Sequence, residues 1–136
     1  MKSHMLAGAI VLIASTSALA EQNCGDLTDQ TEMNVCSGKS YEKVDGELNK
    51  LYKQIEARLK DDADTTKLLV TAQRAWVAYR DAECGFSSSM VAQGTVYPFI
   101  HSSCLEGLTQ NRIKDLKGYL SCEEGDMSCP VPAAGQ

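Results

Sequence analysis

The chain has 136 residues, with 18 acidic side chains against 13 basic ones and a formal net charge of −5. That balance argues against a nucleic-acid partner, which wants a basic face, and favours capture of a cationic one. Six cysteines with no CxxC pair among them argue for disulfide staples, and against a redox motif or a zinc ribbon.

Lys2, the apolar run Met5–Ile13 and the small-x-small site Ala18-Leu19-Ala20 have the form of a secretory signal peptide over residues 1–20. The run is too short and wrongly flanked for a membrane-spanning helix. A mature chain is expected to begin near Glu21 and to keep all six cysteines. Cys24 lies beyond the cleavage point, so no lipid anchor is expected, and the product should be periplasmic or secreted.

Asp29 and Glu32 have capping-box spacing at the start of a first helix that runs to about Lys60. Val44, Leu48, Leu51, Ile55 and Leu59 form its apolar stripe, which extends backwards to Ser40 and Cys36. Gly38 and Gly46 each weaken a helix by roughly 1 kcal/mol against alanine, and a bend or break is expected near Ser37–Ser40. The polar turn Asp61–Thr66 follows, with Asp64 or Thr65 as the cap of a second helix from about Thr66 to Cys84. Gly85 is placed to stop it as a left-handed cap. On this helix Leu69, Ala72, Trp76, Tyr79 and Glu83 share one face, and Trp76, Arg80 and Cys84 form an adjacent stripe.

Phe86–Tyr97 reads as a connection without periodicity. A third helix is expected from Pro98 to about Ser121, with Leu105, Leu108, Arg112, Leu116 and Tyr119 on one face beside Cys104. Residues 122–136, with Gly125, Pro130 and Pro132, read as an irregular tail after a helical domain spanning 21–121. The expected fold class is all-α: a small three-helix antiparallel bundle stapled by disulfides. In such a bundle Cys36, Cys84 and Cys104 share one pole, with Cys24 close by. Cys122 lies at the other pole with Cys129, and these two are expected to pair. The remaining four cysteines allow three pairings, among which the sequence does not choose.

The ordered series Met33-Asn34-Val35-Cys36, Asp45-Gly46-Glu47-Leu48-Asn49 with Tyr52, Ala72-Gln73-Arg74-Ala75-Trp76 with Tyr79-Arg80-Asp81 and Cys84, then Cys104-Leu105 with Leu108-Thr109, Arg112 and Leu116 resembles the LprI-type lysozyme-inhibitor domain. The resemblance covers about Cys24 to Leu120. It implies an exported, small helical domain that inhibits lysozyme.

Within that series the motif residues Asn49, Tyr52, Gln73, Trp76, Tyr79, Arg80, Asp81, Thr109 and Arg112 read as scaffold. Trp76 is expected in the core. Arg80 and Arg112 are expected to pair with acids such as Asp45, Glu47 or Glu83, and Asn49 and Gln73 to satisfy polar groups between helices. Catalysis finds no footing: His101 is the one histidine after residue 20, and no nucleophile–base series accompanies it. His101 and Cys104 have HxxC spacing but lack further ligands, so neither a metal nor a cofactor is expected. Partner binding is expected in the segment 86–101, with Phe86, Tyr97, Pro98, Phe99 and His101 as candidate contacts. Tyr97 and Phe99 have an alternative role as caps on the core. The functional expectation is an exported protein that binds a cationic lysozyme and blocks its substrate cleft sterically. The alternative is an immunity or accessory protein for another cell-envelope toxin or hydrolase.

Overall fold

The computed structural model describes residues 23–135; the signal-peptide reading falls outside them. Three helices account for most of the described chain: α1 (Gln30–Arg58), α2 (Ala63–Ser87) and α3 (Tyr97–Leu120). Single 3-10 turns at Cys24–Asp26 and Ser89–Val91 precede α1 and bridge α2 to α3. No helix among the described residues is long and apolar enough to cross a membrane.

Each helix begins where side-chain chemistry allows. Asp29 caps α1, its carboxylate accepting the Glu32 N–H at 2.9 Å. The cap of α2 is Asp62, two or three residues before the expected Asp64 or Thr65: its Oδ1 accepts the Thr65 N–H at 2.9 Å. Hydrogen bonds from Thr65 hold the Asp62 carboxyl below its ordinary range. Pro98 sits in the first turn of α3, where the missing N–H has no intrahelical acceptor to lose.

Two expected interruptions are absent. α1 runs unbroken through Ser37–Ser40. Tertiary contacts outweigh glycine's poor propensity there: Ser37 is buried, Cys36 is bonded to Cys24, and Ser40 donates to Glu106 at 2.8 Å. α2 likewise passes through Gly85 in ordinary helical geometry to Ser87, since the positive-φ glycines are Gly125 and Gly135. The Cys84–Cys104 bond and the Ser88 cap fix the backbone on either side of Gly85.

The helices alternate in direction along the chain. Arg58 at the end of α1 donates to the Leu120 carbonyl at the end of α3, at 2.7 Å. Asn34 near the start of α1 donates to the Thr95 carbonyl just before α3, at 2.9 Å. So α1 and α3 run parallel, α2 runs opposite to both, and the α1–α3 interface is the most extensive. The core is Leu48, Ile55 and Leu59 from α1, Ile113 and Leu116 from α3, and Val131 from the tail. On α3 the buried positions are Thr109, Ile113 and Leu116: Leu116 belongs to the expected face, and the other two lie one residue beyond Leu108 and Arg112. On α2 they are Arg80 and Cys84, so the stripe of Trp76, Arg80 and Cys84 turns inward, and Tyr79 is 55 % exposed. α2 is thus held by a guanidinium and a disulfide, with Leu69 and Trp76 packing on the edge of the core.

The disulfides are Cys24–Cys36, Cys84–Cys104 and Cys122–Cys129. The expected tail pair forms, and the structure settles the four-cysteine pole: one bond fastens the lead-in to α1, the other joins α2 to α3. Closing the tail loop places Val131 against the bundle, where it is buried.

Candidate functional site

The Cys84–Cys104 bond is the base of a tight pole built from the end of α2, the Ser89–Val91 turn and the start of α3. Hydrogen bonds converge on the Cys84 carbonyl. It accepts from the Ser88 N–H at 3.2 Å, the Ser88 hydroxyl at 2.5 Å and the Ser87 hydroxyl at 3.4 Å. The His101 Nδ1 lies 3.3 Å from the same oxygen and 3.2 Å from the Ser88 Oγ. His101 in turn stacks on Tyr97, ring centroids 5.1 Å apart. Backbone turns continue the lattice, with the Val91 N–H donating to Ser88 and the Gly94 N–H to Val91 at 2.8 Å. At Gly94 a side chain would meet the Val91 carbonyl at 3.3 Å, so the chain passes closely there.

On this fixed base two large apolar side chains stand in solvent. Phe86 is 77 % exposed and Met90 is 94 % exposed. Their exposure contrasts with Ser88 between them, which is fully buried. The turn is thus fixed at its middle and carries an exposed apolar group on either flank.

The five candidate contact residues come from two helices. Phe86 belongs to the last turn of α2, whereas Tyr97, Pro98, Phe99 and His101 belong to the start of α3 rather than to a loop. Pro98 is exposed. Tyr97 and His101 brace the pole from behind. Phe99 lines a pocket of about 300 Å³ with Asn23, Gly25, Ser37, Ser40 and Glu106, and so packs beneath the N-terminal turn. Met90 and Ser88 escaped the sequence reading: a lone methionine after three serines has no periodicity to mark it.

The motif residues gather elsewhere. Asn49, Tyr52, Gln73 and Arg80 line an open groove of about 570 Å³ between α1 and α2. Arg80 forms its floor, with Nη1 3.2 Å from Asp45 and Nη2 2.9 Å from Asp81. Its guanidinium also lies over the rings of Trp76, at 5.1 Å, and Tyr41, at 5.6 Å. Gln73 bridges helices as expected, accepting from Arg112 Nε at 3.1 Å. Arg112 pairs with Asp115 one turn along its own helix, not with the acids expected of it, and Glu47 is taken by Lys117. Asn49 also stays local: it is exposed and donates to Asp45 at 3.2 Å. Thr109 is fully buried, and its hydroxyl has no partner among the described residues. Burial raises the Tyr52 hydroxyl above its ordinary range, and the nearby Glu56 carboxylate adds to the effect.

The lysozyme inhibitor LprI family model matches residues 20–116. An uncharacterized protein of Rhizobium meliloti (strain 1021) is 30 % identical over 91 % of this chain and 99 % of its own length. The uncharacterized protein YecT of Escherichia coli (strain K12) is 30 % identical over 76 % of this chain and 72 % of its own. No solved structure matches significantly.

Proposed function

From a chain that belongs to the lysozyme inhibitor LprI family, we propose an exported, non-enzymatic binding protein that inhibits lysozyme by occupying its substrate cleft. The observation that carries the mechanism is the pole at Cys84–Cys104. Phe86 and Met90 are held outward there on a backbone fixed by a disulfide and by the hydrogen bonds on the Cys84 carbonyl. A backbone already ordered before contact loses little conformational freedom on binding. In this reading Phe86 and Met90 enter the cleft, Pro98 lies at the rim, and Tyr97 and His101 keep the pole rigid.

Charge supports the choice of target. A chain of net charge −5 attracts a cationic lysozyme and speeds encounter. Three disulfides are consistent with an extracytoplasmic setting, and residues 1–20 serve in this proposal as the export signal. The test uses oxidised protein from residue 21 onward, assayed for slowing of cell-wall lysis by chicken-, goose- and invertebrate-type lysozymes. Inhibition of at least one class, weakening as salt rises, is expected. No inhibition of any class overturns the proposal.

A further inference from the structure

α1 carries a second surface that the pole does not use. Lys39, Lys43, Lys50 and Lys53, with Gly46 and Ala57, recur at steps of four, three, four, three and four, and all six are exposed. Lys60 continues the register just past the helix end. The face points away from Leu48, Ile55 and Leu59, the buried positions of the same helix. Five of the chain's thirteen basic residues therefore stand in one row on a protein whose net charge is negative. Lys39, Lys50, Lys53 and Lys60 form no ion pair among the described residues. Of the acids nearby, Asp45 and Glu47 pair with Arg80 and Lys117, while Glu42 stands exposed beside Lys39 at the edge of the row.

We propose that this face of α1 binds an anionic glycan strand. The row is straight and spans about 21 Å from Lys39 to Lys53 at the helical rise. Where Gly46 and Ala57 withhold side chains, a shallow trough of about 490 Å³ opens, lined also by Asn49, Lys50, Lys53 and Gln54. Ammonium groups suit the carboxylates of an acidic amino-sugar polymer, and the two amides suit its hydroxyl and acetamido groups. From Lys39 to Lys60 the row has no aromatic side chain on which a base could stack and no large apolar one to enter a bilayer. A linear, hydrogen-bonding polyanion fits that chemistry better than nucleic acid or membrane. The glycan would hold the protein on the cell wall and leave the Phe86–Met90 pole free, raising its effective concentration where a wall hydrolase must act.

Co-sedimentation with purified peptidoglycan sacculi tests this, with phosphatidylglycerol vesicles as a parallel arm. The intact protein should pellet with sacculi at low salt and be released at high salt, despite the like net charge of protein and wall. The pair Lys50→Glu and Lys53→Glu should lower the bound fraction by at least about tenfold. Gly46→Leu, which fills the trough without changing charge, should lower it several-fold; a Cβ there meets nothing within 4 Å and the position is exposed. Phe86→Ser should bind sacculi as the parent does. Binding unchanged by the lysine and glycine substitutions, absent altogether, or confined to vesicles overturns the proposal. The inference is independent of lysozyme inhibition: a chain that pellets with sacculi and inhibits nothing keeps the glycan site and loses the inhibitor reading.

Discussion

Arg80 reaches from α2 to Asp45 on α1 at 3.2 Å, and this contact ties in a helix whose apolar hold on the core is the partly buried pair Leu69 and Trp76. The arginine side chain is 9 % exposed, and its remaining surface is covered by Trp76, Tyr41 and Asp81. Removing it leaves Asp45 without its cation and opens a gap beneath the α1–α2 groove. Breaking a buried pair costs about 3–5 kcal/mol, but Asp45 is 35 % exposed, so solvent screens part of the loss. Arg80→Leu should therefore cost about 2–3 kcal/mol in urea unfolding. Arg80→Lys should recover little, because one ammonium cannot serve two carboxylates and lie flat between two rings. A lysine variant as stable as the parent sinks this account.

The pole predicts a separation of binding from stability. Phe86→Ser and Met90→Ser remove exposed groups, so melting temperatures should stay within a degree or two of the parent while inhibition of a sensitive lysozyme weakens. Anchors of this kind contribute about 2 kcal/mol each, roughly thirtyfold in affinity. The double change Cys84→Ala and Cys104→Ala should do the reverse first. It opens a loop with a sequence separation of 20 and should cost about 3 kcal/mol of stability on chain-entropy grounds. Binding then weakens because the pole loosens. Equal loss of stability in all these variants would show that Phe86 and Met90 are structural.

The helices and the bundle were legible because the signals that specify them are local and repeated. The stripe Val44–Leu48–Leu51–Ile55–Leu59 needs only helical period to be found, and its members do meet the core. Helix ends were less legible. Asp62 competes with Asp64 and Thr65 for the same role; in the fold Asp62 accepts the Thr65 N–H, and Thr66 reaches back to the Leu59 carbonyl. Gly85 reads as a stop until the disulfide one residue before it is known to join α3. The exposed pole was less legible than the helices. Phe86 was singled out, but Met90 stands outward because Ser88 between them is buried, a relation between one turn and a distant histidine. Val131 reaches the core only because the tail closes on itself through Cys122–Cys129.

Two tyrosines give the fold an alkaline limit. Burial raises the Tyr41 hydroxyl above 10.0, with Arg80 pulling the other way and Asp45 adding to the rise; burial and then Glu56 raise Tyr52. A raised folded-state pKa means that the native protein keeps these protons more tightly than the unfolded chain does. The stabilisation is fully present below pH 10.0 and is lost as pH climbs through the folded values. Unfolding midpoints should hold steady on approach to pH 10.0 from below and fall beyond it. Tyr41→Phe with Tyr52→Phe should flatten that fall. A double variant that declines as steeply as the parent places the alkaline sensitivity in other groups.

Thr109 makes the opposite kind of prediction, a gain from removing a motif residue. It is fully buried on α3 among the positions that face the core, and its hydroxyl meets no donor or acceptor among the described residues. An unpaired buried hydroxyl costs roughly 1–3 kcal/mol by protein mutational measures. Valine keeps the branched shape and removes the polar atom, at similar helix propensity. Thr109→Val should therefore stabilise the protein by about 1 kcal/mol, with unchanged steepness of the urea transition. Thr109→Ser is the control: it keeps the unpaired hydroxyl, loses a methyl group and should destabilise by a similar amount. If valine proves destabilising instead, the hydroxyl has a partner in solution, and Thr109 holds α3 in register through a hydrogen bond.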